Sequence, residues 1–579
     1  MSKLLINQYY HRLEQIIQYG GSRNETAIRT AFIQLLNEYA QKHNLLLVPE
    51  LAVKGTLGKA VYPDGILKNA LRLDFGYWES KDESDDINEE ISKKTKKGYP
   101  LTNILFEDSQ TAVLYQNGQE TMRVNMKNAD ELERILNAFT GFVHPEIERF
   151  EHAIEIFKAD VPTLVATLKD RIEQAGKDNE AFIRARDIFL DLCRAEINPG
   201  LAADDVREMI IQHILTADIF NVIFDDPHFH HENNIGRELE NLINTFFTGS
   251  ARRNALESIS HYYKAINAAA ANIAGHHEKQ KFLKVIYENF YKVYYPKAAD
   301  RLGVVYTPGE IVHFMIESTD YLLHKHFNRT LADAGVDILD PATGTGTFIC
   351  DLIEYLPNQA LPHKYKNEIH ANEIAILPYY IANLNIEYTY KQKLGEYAEF
   401  KNICLVDTLD NTPGLAHAGK QVEMFGFSSE NAVRIQRQNE RKISVIIGNP
   451  PYNANQQNEN ENNKNREYPY IDKRIKDTYI KYSTAQKTKV YDMYARFYRW
   501  AMDRLAPNGI IAFITNRSFI DSRTFDGFRK CMEEDFDYVY IVDTHSDVRA
   551  NPKIAGTTHN VFGIQTGVAV MFLVKIGGK

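Results

Sequence analysis

The chain has 579 residues, 44% of them hydrophobic and 25% charged, with a formal net charge of −10. That content can fill several cores, holds no apolar run long enough to span a membrane, and leaves any nucleic-acid binding to local basic patches. Four scattered cysteines (Cys193, Cys350, Cys404, Cys531), with no Cys-x-x-Cys pair and no signal peptide, point to a reducing, cytoplasmic setting and away from a zinc–thiolate site.

The first elements expected are an amphipathic helix over Glu25–Lys42 and a strand over Leu45–Val48. Val61-Tyr62-Pro63-Asp64 follows, then a long strand over Leu71–Lys81. Strand alternation places Glu79 and Lys81 on one face and Asp74 on the other. Asp64 and Glu79 are two carboxylates that can hold Mg2+, and Lys81 can activate water or stabilise developing phosphate charge. A Glu-x-Lys pair can equally be a plain surface ion pair. Helix, strand, Pro-Asp, then a strand with Glu-x-Lys resembles the PD-(D/E)xK nuclease fold. That resemblance implies metal ligation by Asp64 and Glu79, catalysis by Lys81, and an extra first-helix acid in Glu25. The charged run 82–97 is expected to be a solvated excursion before a strand near Asn103–Phe106. Gln110, just beyond, either supports the site or is an ordinary surface glutamine.

Residues 141–295 carry helical apolar spacing over Glu146–Lys158, Val161–Ala175, Asp178–Ile197, Asp204–Ile219, Ile235–Phe247 and Ser250–Ile273. They are expected to form a helical connector. His228, His230 and His231 could ligate a metal, but no matching ligand set is visible. No Gly-x-x-x-x-Gly-Lys-Ser/Thr loop occurs, so no ATP-driven motor is expected.

Val336–Asp340 reads as a strand ending in an acid, followed by the turn Pro341-Ala342-Thr343-Gly344-Thr345-Gly346 and a helix from about Thr347. Gly344 and Gly346 permit a tight turn and close approach to a ligand, and the helix N-terminus favours a negative group. Glu368–Ala371 reads as a second strand, ending at Asn372-Glu373, and Asn402–Val406 as a third, ending at Asp407. Glu373 could bind ribose hydroxyls and Asp407 could accept from an adenine amino group. Each acid alone could be a helix cap. A further apolar strand, Ile443–Gly448, ends in Asn449-Pro450-Pro451-Tyr452. The Asn449 side-chain carbonyl and the Pro450 main-chain carbonyl can both accept from an exocyclic NH2. The prolines stiffen the turn, and Tyr452 can stack on a flat ring.

These motifs resemble those of the gamma-class, S-adenosylmethionine-dependent adenine-N6 DNA methyltransferases over residues 300–575. Asp340-Pro341-x-x-Gly344-x-Gly346 is similar to their methionine-binding motif and Asn449-Pro450-Pro451-Tyr452 to their catalytic motif. The segment Leu302–Pro308, including Thr307 and Pro308, is similar to the one that closes over the cofactor. The resemblance implies cofactor contacts from Thr307, Pro308, Asp340, Pro341, Ala342, Gly344, Gly346, Glu373, Asp407 and Asn449. It also implies flipping of the target adenine out of the duplex.

After the catalytic motif come a polar tract, 453–463, and a basic, tyrosine-rich stretch from Lys464 to Lys489. The stretch includes Tyr468, Tyr470, Tyr479 and Tyr482, suits phosphate contact and base stacking, and is expected to be disordered without DNA. Asn508–Thr515, Tyr538–Asp543 and Gly567–Lys575 read as the last strands. A gamma-class enzyme would continue into a target-recognition domain, so the expectation is a truncated chain, a specificity subunit that reads the sequence, or recognition by the helical segment.

The expected fold is α/β, with residues 1–140 a PD-(D/E)xK-like nuclease domain and 141–295 a helical connector. Residues 296–579 are expected to be a Rossmann-like class I methyltransferase domain. A nuclease ahead of such a domain resembles the single-chain restriction-modification enzymes of types IIG and ISP. That implies adenine methylation and Mg2+-dependent cleavage of double-stranded DNA, with transient pairing of two copies for a double-strand cut. The alternative is a methyltransferase whose N-terminal site is silent.

Overall fold

The computed structural model describes residues 2–20, 25–43, 45–49, 53–57, 59–68, 74–82, 85–142, 145–197, 199–223, 233–249, 252, 307–412, 430–451, 467–484, 490–547 and 566–577. The chain divides into two compact units. One lies mainly within residues 1–160 and the other within 161–256 and 291–579.

The first unit is built on a mixed sheet of β1 (Leu46–Pro49), β4 (Gly65–Lys68), β5 (Asp74–Ser80), β6 (Asn103–Glu107), β7 (Thr111–Gln116) and β8 (Gln119–Asn125), in that spatial order. The short β2 (Val53–Lys54) and β3 (Ala60–Val61) form a separate ribbon. Only β5 and β6 pair in parallel, and the charged run between them supplies the crossover. That run is a helix, Ile87–Lys96, rather than a solvated excursion. Asp86 caps its first turn, and Ile87 and Ile91, four apart, bury one apolar edge beside Ile104 and Phe106. The other sheet face is covered by helices Ser2–Gly20, Glu25–Lys42 and Ala129–Thr140, which close over Trp78, Leu105 and Leu114.

Helix Pro145–Asp178 runs unbroken through Pro162, where two helices were expected; a proline removes one backbone hydrogen bond and bends a long helix without ending it. Helices Glu180–Glu196, Ala203–Ile223 and Asn234–Ile243 follow in the expected places. They share the compact unit of the second sheet. The run His228–His231 and the helix expected over Ser250–Ile273 lie outside the described residues, apart from Arg252.

The second sheet contains β9 (Asp337–Asp340), β10 (Ile369–Glu373), β11 (Ile403–Leu405), β12 (Ile443–Gly448), β13 (Leu505–Asn516), β14 (Tyr538–Asp543) and β15 (Val568–Lys575). Their spatial order is β11-β10-β9-β12-β13-β15-β14, with β15 antiparallel to both neighbours and the rest parallel. Parallel strands are covered on both faces, and β9, β10 and β11 are buried along their whole length. The order reverses between β9 and β12, and a crevice for a ligand opens beyond the strand ends at such a point. Among the described residues no helix is long and apolar enough to cross a membrane.

Candidate functional site: a strand-end crevice and a buried carboxylate

The crevice is lined by the C-terminal ends of β9–β12. β9 delivers Asp340, which is fully buried; its Oδ1 accepts from the Ala342 N–H at 3.1 Å. Its Oδ2 has no hydrogen-bond partner among the described residues. Burial pushes this carboxyl up to about 7. Gly344 and Gly346 adopt positive φ, 56° and 89°. A Cβ on Gly346 would stand 3.2 Å from the Ala382 Cα, so the glycine lets helix Ile376–Leu394 pack against the turn. A Cβ on Gly344 would meet nothing within 4 Å, so that side of the turn faces open space. Asn385 steadies the turn by donating to the Thr345 carbonyl at 2.9 Å.

β10 delivers Glu373, which gathers three main-chain donors: Gly344 at 2.9 Å, Ile374 at 3.0 Å and Ala375 at 2.8 Å. Burial nevertheless pushes its carboxyl up to about 7, against the pull of those bonds. Beyond β11, Asp407 accepts from the Leu409 N–H and from the Tyr468 hydroxyl, each at 3.1 Å. The neighbouring Thr408 hydroxyl donates to the Pro341 carbonyl at 2.6 Å, tying this strand end to the glycine turn.

β12 delivers Asn449 and the buried Pro450 beside Asp340. The strands approach so closely that a Cβ on Gly448 would lie 2.6 Å from the Asp340 Oδ1. Asn449 Nδ2 donates to Thr307 Oγ1 at 2.8 Å. Thr307 is buried ahead of helix Gly309–Phe327, for which Pro308 stands at the N-cap. These contacts bring Thr307, Asp340, Ala342, Gly344, Glu373 and Asn449 to the same strand ends as Gly346, and Thr408 ties the end that carries Asp407 to the glycine turn. Tyr452 and residues 302–306 lie outside the described residues. An orphaned Asp340 oxygen, a turn with open space before Gly344 and three strand-end acids fit a cationic, hydroxyl-bearing ligand such as S-adenosylmethionine.

The tyrosine-rich stretch departs from expectation. Residues 453–463, Lys464, Arg466, Lys487 and Lys489 lie outside the described residues, but Pro469–Ile475 is helical and continues into one π-helical turn, Lys476–Ile480. Ile471, Ile475 and Tyr479 recur every four residues and are fully buried, which orders the segment. Tyr468 and Tyr479 are therefore core residues, whereas Tyr482 is exposed with Lys481 5.6 Å from its ring centre. Arg474 is bound to Asp503 through two hydrogen bonds, 2.8 and 2.7 Å.

In the first unit, Asp64, Glu79 and Lys81 converge at the C-terminal end of β5. Asp64 Oδ2 accepts from the Ser80 N–H at 2.8 Å, and Oδ1 pairs with Arg29 at 3.1 Å. Glu79 is fully buried; its Oε2 lies 3.1 Å from Lys81 Nζ and 2.6 Å from Lys94 Nζ. Glu79 Oε1 has no hydrogen-bond partner among the described residues. Burial, then the Asp64 charge, raise the Glu79 carboxyl above its usual range, and the lysines pull it back. Two carboxylates with one unpartnered oxygen fit a single divalent cation. No group of three or more His, Cys, Asp or Glu suited to a metal occurs among the described residues.

The sequence reading missed Lys94 and Arg29. The signal for Lys94 lay in the spacing of Ile87, Ile91 and Lys94, which share one helix edge. Asp74 lies apart, paired with Lys68 at 2.5 Å. The Glu25 side chain is outside what is described. Gln110 closes a turn by donating its main-chain N–H to Asp108 at 2.9 Å.

Comparison with known proteins gives these units relatives. Residues 154–278 match the family model for the type ISP restriction-modification enzyme coupler domain, and residues 350–549 that for the Eco57I restriction-modification methylase. Among solved structures, the chain is similar to that of the DrdV–DNA complex determined by cryo-EM, at 52% identity and a TM-score of 0.72, over 99% of this chain and 56% of that one. It is also similar to a nuclease-deletion mutant of the type ISP restriction-modification enzyme LlaGI in complex with a DNA substrate mimic. There the identity is 33% and the TM-score 0.65, over 72% of this chain and 34% of that one. The ATP-dependent type ISP restriction-modification enzyme LlaBIII bound to DNA matches at 30% identity and a TM-score of 0.65, over 78% of this chain and 30% of that one. The chain thus spans from under a third to just over half the length of these relatives. The search of curated proteins returned no match. The chain is a relative of the restriction-modification enzymes and carries the coupler and methylase domains of that group.

Proposed function

We propose that this protein transfers a methyl group from S-adenosylmethionine to N6 of adenine in double-stranded DNA, and that its N-terminal unit cleaves DNA with Mg2+. The observation that carries the first part is the placement of Asn449 beside Asp340 where the strand order reverses. The DNA-bound states of DrdV and LlaBIII support DNA as the substrate. A cytoplasmic location accompanies this reading.

Asp340, Glu373, Asp407 and the glycine turn would hold the cofactor, which supplies an electrophilic methyl group. The chain's own residues prepare the nucleophile. An aromatic amine is weakly nucleophilic because its lone pair is delocalised into the ring. Thr307 takes the Asn449 Nδ2 and so turns the Asn449 carbonyl oxygen the other way, as an acceptor for one amino hydrogen. The Pro450 carbonyl accepts the other. Two such bonds draw the nitrogen toward tetrahedral geometry and return its lone pair, so that placement supplies much of the rate. A base in this pocket must have left the helical stack.

In the N-terminal unit, Asp64 and Glu79 would hold Mg2+ and Lys81 would act on the attacking water or the phosphate. A second reading, a methyltransferase with a silent N-terminal site, is favoured by the two ammonium groups on Glu79 Oε2 and by Arg29 on Asp64. Plasmid DNA incubated with Mg2+ and S-adenosylmethionine separates the two. Nicking or cutting by the wild type that vanishes in Asp64→Ala supports the nuclease; an uncut plasmid with both proteins supports the silent site.

A further inference from the structure

Asp407 is held more firmly than a helix cap requires. Its main-chain N–H donates to the Ile197 carbonyl at 3.1 Å, at the C-terminal end of helix Glu180–Glu196. Its Oδ1 is fixed by the Leu409 N–H and its Oδ2 by the Tyr468 hydroxyl. The first is a main-chain contact that any residue there would keep, and the second is a local one that the carboxylate makes with a residue two positions on. The third comes from a side chain 61 positions away in sequence.

Tyr468 is itself locked. It is 5% exposed, and its main-chain N–H donates to Asp472 Oδ2 at 2.9 Å. Asp472 is gripped by Arg496 through two bonds, 2.7 and 3.0 Å, and the Arg496 guanidinium stands 5.3 Å from the Tyr468 ring centre. A packed ring, a capped backbone and a cation over its face leave the hydroxyl little freedom. A plain core tyrosine needs some partner for its hydroxyl; this one spends it on a carboxylate that borders the cofactor crevice.

We propose that Tyr468 is a positioning residue of the cofactor site, and that its hydroxyl orients the Asp407 carboxylate toward the adenine amino group of S-adenosylmethionine. This rests on the methyltransferase reading given above. A carboxylate bonded at both oxygens has its remaining lone pairs set in direction before the ligand arrives. Without Tyr468 that order must be created on binding, at the expense of affinity. Tyr468 does not touch the reacting atoms, so its loss acts on cofactor binding rather than on the methyl-transfer step.

The test is a calorimetric titration of the full chain with two probes, S-adenosylmethionine and its analogue carrying hydrogen in place of the adenine 6-amino group. Wild type is expected to bind S-adenosylmethionine the more tightly. Tyr468→Phe keeps the ring and, with an unchanged melting temperature, is expected to weaken S-adenosylmethionine by about three- to tenfold while leaving the analogue within about twofold. Its kcat at saturating cofactor should stay near wild type. Equal losses for both probes would make Tyr468 a merely structural residue, and unchanged or tighter binding of S-adenosylmethionine would also overturn the proposal. A wild type that binds neither probe, or binds both alike, defeats the reading of Asp407 itself rather than the role of Tyr468.

Discussion

Asn449 and Thr307, 142 positions apart in sequence, meet through a 2.8 Å hydrogen bond from the Asn449 amide to the Thr307 hydroxyl. That bond decides which end of the amide turns toward a substrate. Thr307→Ala should therefore lower kcat for methyl transfer about tenfold, the equivalent of roughly 1.4 kcal/mol from one lost orienting bond. Thr307→Ser should keep most of the rate. Steady-state kinetics of the two variants check this, and equal losses in both would contradict it.

Gly448 is required by proximity rather than by backbone angle. A methyl group there would press on the Asp340 Oδ1 at 2.6 Å. Gly448→Ala should cost about 1–3 kcal/mol of stability through overpacking and weaken S-adenosylmethionine, because Asp340 has to move. Urea unfolding and cofactor titration read the two effects separately.

Lys94 shares Glu79 Oε2 with Lys81 and stands where a bound cation would also draw charge. Lys94→Met should lower the melting temperature, since Glu79 stays buried with one counter-charge fewer. Added Mg2+ should then raise that temperature more in the variant than in the wild type, because an ammonium no longer competes for the carboxylate. Melting curves with and without Mg2+ decide this. An equal Mg2+ response in both proteins would remove Lys94 from the site.

Asp340 and Glu373 have folded-state values raised to about 7, above the ordinary carboxyl range. A raised acid adds stability below its unfolded value and loses it as pH rises through the folded one. The ligand-free protein should lose stability from about pH 4 to about pH 7, the window those shifts define. Binding of the cationic S-adenosylmethionine should strengthen across the upper part of that window as the carboxylates ionise. Differential scanning calorimetry across pH, with and without cofactor, tests both signs.

Much of the second unit was legible because its signals are local. Short strands alternate with turns, and the site residues stand at or just past their C-terminal ends: Asp340 and Glu373 end β9 and β10, Asn449 follows β12, and Asp407 lies two residues past β11. Helix Glu25–Lys42 matched its expected bounds for the same reason. Contacts between distant segments carry no such signal. Tyr468 looked like a mobile stacking platform because it sits among lysines, yet its ring is buried and its hydroxyl reaches Asp407. The helix that presents Lys94 was hidden by its charge. Lys93, Lys94, Lys96 and Lys97 crowd its C-terminal end, and only Ile87 and Ile91 betray the buried edge. Charged residues report the solvated side of a helix and say little about its inner one.

Transfer of labelled methyl groups from S-adenosylmethionine to plasmid DNA, followed by nucleoside analysis of the product, tests the proposed activity most directly. Wild type and Asn449→Ala should be compared at saturating cofactor. Label appearing as N6-methyladenine with the wild type, and reduced at least a hundredfold in the variant with cofactor affinity largely kept, is the expected result. Label on another base, or equal transfer by both proteins, would contradict the assignment of Asn449 and its crevice.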